Sequence, residues 1–210
     1  MVPETVLNSV INETMSEEGM PALFDRIDQL MEMQGIENID VLVGGPPCQA
    51  YSLVGRARSK TNMVGDPRNY LYMLYCEVLE KYRPKIFVFE NVPGLLTANG
   101  GSYFDDMRER FRKAGYFLEH RILNSKEYGV LQNRRRVIVI GWREGTDFTY
   151  PELDKKEQKY LVDDLFSDLP YIEPGESRNI YKCKSTEYLR ESGIRTEDDI
   201  LTLHQARPNL

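Results

Sequence analysis

Two short, unbroken apolar runs, "VLV" at 41–43 and "KIFVFE" at 85–90, constrain the fold of this chain more than any other feature. Runs of this length without polar alternation suit strands covered on both faces. Between them, "NYLYMLYCEVLEKYRP" spaces Leu71, Leu74, Tyr75, Val78 and Tyr82 along one helical stripe, and Pro84 stops it. Strand, helix and strand make a right-handed crossover, so the two strands are expected to be parallel neighbours. Upstream, "PALFDRIDQLMEMQ" at 21–34 places Leu23, Phe24, Ile27, Leu30 and Met31 at helical intervals, and Gly35 closes it. Downstream, "SYFDDMRERFRKAG" is an amphipathic helix ending in glycine. "YFLEHRIL" and "RVIVIGW" then read as strands with no helix between them, hence an antiparallel hairpin. The fold class expected is α/β, with a mainly parallel sheet and an antiparallel terminal hairpin.

Length and charge narrow the function. A chain of 210 residues suits one domain with part of a second. The sequence turns acidic and irregular after Pro151, which places a boundary near residue 150: a first domain over 1–150, then 151–210 as a linker and the opening of another. No stretch approaches the roughly 20 apolar residues of a membrane helix. The N-terminus has neither a basic start nor an apolar block, so a cytoplasmic protein is expected. Cys48, Cys76 and Cys183 are odd in number and scattered, and His120 and His204 sit at no ligand spacing, so neither a disulfide framework nor a metal site is expected. The net charge of -6 hides an uneven distribution. Arg56, Arg58 and Lys60 share one loop, and Lys126, Arg134, Arg135, Arg136 and Arg143 cluster in another stretch. Residues 151–177 carry eight carboxylates against three lysines. Such a bipolar chain can offer a phosphate-binding face despite its mean charge.

Ligands of open α/β sheets bind beyond the carboxyl ends of the strands. The first strand leaves through "GGPPC" to Cys48, and the second through "FENVPG" with Glu90 at its tip. Pro46 and Pro47 fix φ and stiffen the corner, while Gly44 and Gly45 allow close approach to the backbone. A buried structural cysteine would sit more naturally inside an apolar run, as Cys76 does. A thiol and a carboxyl are therefore expected in one mouth. A partly desolvated carboxyl at Glu90 could act as an acid near neutrality. By strand alternation Gln132, Arg134 and Arg136 are expected on one side and Arg135 on the other, a row that calls for an anionic or polar ligand.

"GGPPCQAYS", "FENVPGLL" and "QNRRRVIVIG", in this order, resemble the catalytic signatures of the C5 cytosine-specific DNA methyltransferases. "GDPRNYLY" at 65–72 resembles that family's Asp-x-Arg segment, and "DLPYIEPGE" with "LHQAR" resembles the approach to its target-recognition region. The likeness covers about residues 38–210. It implies a partial Rossmann-like methyltransferase fold, with S-adenosylmethionine as methyl donor and double-stranded DNA as partner, in a modification enzyme acting on the nucleoid. It implies that Cys48 attacks C6 of a flipped-out cytosine, Glu90 engages N3 and Arg136 holds O2. Gln132 and Arg134 would support the pocket, and Asn91 and Val92 would shape its corner. Gln49, Ser52, Arg56 and Arg58 would contact the extruded nucleotide and its phosphates. Pro47 would line both base and cofactor, and Leu71 would line the cofactor.

The family's glycine-rich cofactor turn has no counterpart before residue 44. The expectation is accordingly a catalytic middle, inactive alone and completed by a longer chain or a complementary one. Two other readings stay open: a tRNA cytosine-C5 methyltransferase, and a catalytically silent DNA-binding subunit of a split enzyme. A Cys-dependent hydrolase ranks behind both, since no histidine is suitably placed.

Overall fold

The computed structural model describes residues 10–47, 70–157, 159–202 and 204–207. Two compact units emerge, Met1–Leu123 with Arg135–Glu152, and Asn124–Arg134 with Leu153–Leu210.

The first unit contains helix α1 (Met20–Gln34), strand β1 (Val41–Gly44), helix α2 (Leu71–Tyr82), strand β2 (Ile86–Asn91), helix α3 (Ser102–Lys113), and strands β3 (Tyr116–Asn124) and β4 (Arg135–Arg143). The α/β class expected from the sequence is the class observed. The sheet order is β1-β2-β4-β3. β1 and β2 are parallel, with Val41 opposite Ile86 and Gly44 opposite Phe89. β2 and β4 are antiparallel, with Phe87 opposite Gly141 and Glu90 opposite Ile138. Backbone hydrogen bonds from Glu144 to Gly115 and from Ser125 to Arg134 close the two ends of the β3–β4 pair, which makes it the antiparallel hairpin expected. The position of β4 beside β2 was not anticipated, since nothing local in the sequence specifies which strand the hairpin joins.

One sheet face carries the core. Phe87, Phe89, Val137 and Val139 point into it and meet Tyr72, Tyr75, Cys76 and Leu79 of α2 and Phe104, Met107 and Phe111 of α3. The rings pack edge to face, with Tyr75 and Phe89 centroids 5.2 Å apart and Phe87 and Phe111 centroids 5.0 Å apart. The opposite side of α2 offers Leu74 and Val78 to Met20, Leu23 and Phe24. α2 is thus buried along two stripes, and the single stripe read from its sequence is the meeting of both. α1 is the outer helix. Its predicted stripe of Leu23, Phe24, Ile27, Leu30 and Met31 is half-buried throughout. Asp28 ties α1 to α2 by accepting from Lys81 Nζ at 2.7 Å and Tyr82 Oη at 2.9 Å. Those two donors, Lys81 first, hold its carboxyl below the ordinary range.

Val41 and Val43 lie on the other sheet face, 50% and 70% exposed. By the period of the strand, Glu90 and Arg136 belong to this same face.

The second unit is small. It holds helices α4 (Val162–Phe166) and α5 (Glu187–Glu191) and a two-stranded ribbon of β5 (Ser177–Arg178) with β6 (His204–Gln205). Arg195 and Asp168 form a buried ion pair at 2.7 Å, and the guanidinium lies 3.6 Å from the centroid of the Tyr181 ring. Among the described residues no helix is long and apolar enough to cross a membrane.

A β-carbon at Gly141 would come within 2.0 Å of the Phe87 ring, which is fully buried. Gly141→Ala is therefore expected to destabilise the first unit by about 1–3 kcal/mol, through overpacking that the surrounding rings cannot relieve. Urea unfolding would show this as a lower midpoint at unchanged slope.

Candidate active site

β1 and β2 end side by side because they are parallel and in register, so their exits open on the same edge of the sheet. Beyond Gly44 the chain passes directly over the tip of β2. A β-carbon on Gly45 would stand 3.1 Å from Glu90 Oε2, a tight contact that the glycine avoids as the backbone runs beside the carboxylate. Asn91, fully buried, donates from Nδ2 to the Pro46 carbonyl at 3.3 Å, and its Oδ1 accepts from the Val92 amide at 2.9 Å. One side chain thereby fastens the proline corner to the end of the neighbouring strand. Val92 turns its side chain onto the core and participates at the corner through its backbone.

β4 delivers the third group. Arg136 Nε meets Glu90 Oε1 at 2.6 Å, with side chains 21% and 38% exposed. Arg136 Nη1 also donates to the Arg135 carbonyl at 2.9 Å, which orients the guanidinium plane. Glu90 is thus flanked by glycine backbone on one side and a cation on the other. It is more open to solvent than an apolar strand end suggests, and the guanidinium beside it pairs with the carboxylate. The arrangement offers an acceptor beside a planar donor array, in the lee of a rigid turn. That pairing suits a flat, polar heterocycle edge.

Of the residues singled out in the sequence, Glu90, Asn91, Val92 and Arg136 converge here. Pro47 is exposed at the end of the corner. Cys48, Gln49, Ser52, Arg56 and Arg58 lie outside the described residues. Gln132 and Arg134 are exposed and precede β4, within the segment Asn124–Arg134 of the second unit. The alternation expected across 132–136 therefore holds only from Arg135 onward, because the backbone before it turns. Ser125 Oγ donates to the Gln132 carbonyl at 2.6 Å, and Asn124 Nδ2 donates to Asn133 Oδ1 at 2.8 Å.

Leu71 opens α2, partly buried against the Met20, Leu74 and Val78 cluster. It also lines a cavity of about 490 Å³ with Met15, Glu17, Glu18, Tyr70 and Glu77. Carboxylates beside an apolar and aromatic wall match the hydroxyls and base of a nucleoside. Among the described residues no group of three His, Cys, Asp or Glu side chains could hold a metal ion.

The comparisons with known proteins agree with one another. The family model described as C-5 cytosine-specific DNA methylase matches residues 21–207. The Type II methyltransferase M.Bpa9945I of Bacillus paralicheniformis is 33% identical over 201 residues, 87% of this chain and 45% of that protein. The Type II methyltransferase M.AgeI of Thalassovita gelatinovora is 39% identical over 142 residues, 65% of this chain and 32% of that protein. Among solved structures, a protein described as a prophage-encoded DNA modification methyltransferase (E. coli) has a TM-score of 0.58 at 22% identity, covering 78% of this chain and 47% of that one. This last likeness concerns the fold. The chain spans less than half the length of these relatives.

Two substitutions separate scaffold from site. Asn91→Ala would leave the Pro46 carbonyl and Val92 amide without their partner in a buried setting, at a cost of about 1–3 kcal/mol. Arg136→Met would break a half-exposed ion pair worth about 1 kcal/mol or less. Equilibrium unfolding of the two variants in urea is expected to rank them in that order.

Proposed function

The chain belongs to the C-5 cytosine-specific DNA methylase family, and on that footing we propose that it provides the catalytic middle of a DNA cytosine-C5 methyltransferase of modification type. The observation that carries the reading is the Glu90 carboxylate, held between the Gly45 backbone and the Arg136 guanidinium where two parallel strands end. Cytosine presents O2, N3 and the 4-amino group along one edge. A guanidinium facing O2 and a carboxyl facing N3 complement that edge, the carboxyl sharing or giving a proton as N3 gains electron density.

The chemistry then follows from electron demand. The thiolate of Cys48, the residue after the Pro46–Pro47 corner, adds to C6, and the ring electrons move toward N3, where Glu90 supplies a proton or hydrogen bond. C5 becomes nucleophilic. S-Adenosylmethionine, the family's methyl donor, would give its methyl group to C5 as the S–CH3 bond breaks and leave as the neutral thioether. A water molecule or other base then takes the C5 proton, and the C–H electrons re-form the C5–C6 double bond and expel the Cys48 sulfur as thiolate. Pro46 and Pro47 restrict the approach of the thiol, so little conformational freedom is lost on attack. Arg136 has five N–H donors, more than Glu90 and Arg135 take up among the described residues.

C6 is shielded in a stacked duplex, so the target base must be flipped out. Arg56, Arg58 and Ser52 would engage the phosphates and the extruded nucleotide, with Gln49 next to the thiol. Residues 151–210 would lead into the target-recognition region. Leu71 and its neighbouring carboxylates would hold the nucleoside half of the methyl donor, with Pro47 between donor and base. A glycine-rich turn for the rest of the donor would come from a segment or chain outside these residues.

The 210-residue protein by itself is expected to show no methyl transfer to duplex DNA. Tritium incorporation above background from labelled S-adenosylmethionine would contradict that. Completed by its cofactor-binding portion, it is expected to form a denaturant-resistant adduct with duplex DNA containing 5-fluorocytosine, which gel mobility reads directly. Cys48→Ser should abolish the adduct, and an adduct that survives would remove Cys48 from the role of nucleophile.

A further inference from the structure

Tyr75 lies on α2, outside every motif block, yet it touches both strands that end in the site. Its hydroxyl is 3.2 Å from the Val88 carbonyl oxygen and 3.4 Å from that of Leu42. Val88 precedes Glu90 by two residues, and Leu42 precedes Gly44 by two. The same ring occupies the place where a side chain at residue 44 would begin, since a β-carbon there would stand 2.5 Å from Tyr75 Cε2. Phe87, Phe89 and Phe111 hold the ring from three sides, at centroid distances of 6.0, 5.2 and 5.9 Å.

A core filler would need none of the polar detail. Phenylalanine would make the same ring contacts, whereas a buried hydroxyl costs free energy unless it finds acceptors. The acceptors found here are one carbonyl from each strand, two residues upstream of Gly44 and Glu90. We infer that Tyr75 is a positioning residue for the site: its hydroxyl sets the spacing of the β1 and β2 ends, and its ring sets the height at which Gly44 releases the chain into the Pro46–Pro47 corner. The inference rests on reading Cys48, just past that corner, as the nucleophile.

The chain carries its own controls. Cys76 is buried in the same core as Tyr75, and burial pushes its thiol up to about 12, so it stays silent toward alkylation at neutral pH while that core is intact. Cys183 is exposed in the second unit and reports general reagent access. Iodoacetamide labelling of the intact 210-residue protein, followed cysteine by cysteine by mass spectrometry from neutral to alkaline pH, reads all three at once. In Tyr75→Phe the Cys48 rate is expected to change by roughly two- to tenfold, the range one intramolecular hydrogen bond is worth, with Cys76 still protected and Cys183 unchanged. Gly44→Ala should alter the Cys48 rate and its pH midpoint. The effect of Gly44→Ala should be smaller when it is made in a Tyr75→Leu background than in the parent, because the ring that the new methyl strikes is gone.

A Cys48 profile indistinguishable from the parent in Tyr75→Phe and Gly44→Ala, with Cys76 protected, overturns the inference. If Tyr75→Phe exposes Cys76, the decision passes to the Gly44 variants: a smaller Gly44→Ala effect in the Tyr75→Leu background than in the parent supports the coupling, and equal effects refute it. Alkylation requires neither DNA nor methyl donor. Failure of the 5-fluorocytosine trap with this coupling intact would sink the methyltransferase reading alone.

Discussion

The parallel register of β1 on β2 is the constraint from which the site follows. With Gly44 opposite Phe89, the next residue of each strand falls at the same height, and Gly45 passes close beside the Glu90 carboxylate. A shift by one residue would turn Glu90 to the core face and bring a phenylalanine to the mouth. The edge-to-face rings beneath the sheet guard against that, since a one-residue shift would turn Phe87 and Phe89 out of the core.

Around this pairing the chain places stiffness and openness in different positions. The corner is held by two prolines, a fully buried asparagine and the tyrosine below Gly44. Glu90 and Arg136, by contrast, reach partly into solvent and satisfy each other. An ion pair of that kind contributes little to folding. It keeps the two polar groups oriented toward each other at the strand ends.

Much of this was legible in the sequence because it is local. Continuous apolar runs, a stripe of period 3.6, and glycine or proline at each end locate α1, α2, α3 and all four strands of the sheet. The crossover helix α2 correctly makes β1 and β2 parallel neighbours. What escaped depends on distant partners. No feature of "RVIVIGW" says that β4 inserts beside β2 and so brings Arg136 to Glu90; only the unbroken apolar run "FVF" hints that β2 has a neighbour on each side. The alternation assumed for Gln132 and Arg134 failed because the strand starts at Arg135, after a segment shaped by Ser125 and Asn124 side chains. Tyr75 looked like one more member of a helical stripe, and its two carbonyl partners are visible only once the strands are side by side.

Gly141 has a consequence beyond its own position. A strand that slides by two residues keeps its faces, so the hydrophobic pattern of β4 alone would tolerate such a slip against β2. Opposite Phe87, however, the slipped strand would present Val139 or Arg143 where the ring now lies over a bare α-carbon. The missing side chain acts as a detent that admits a single alignment of the hairpin. The same notch, deep in the core and far along the strand from any reacting atom, decides which guanidinium arrives next to the carboxylate.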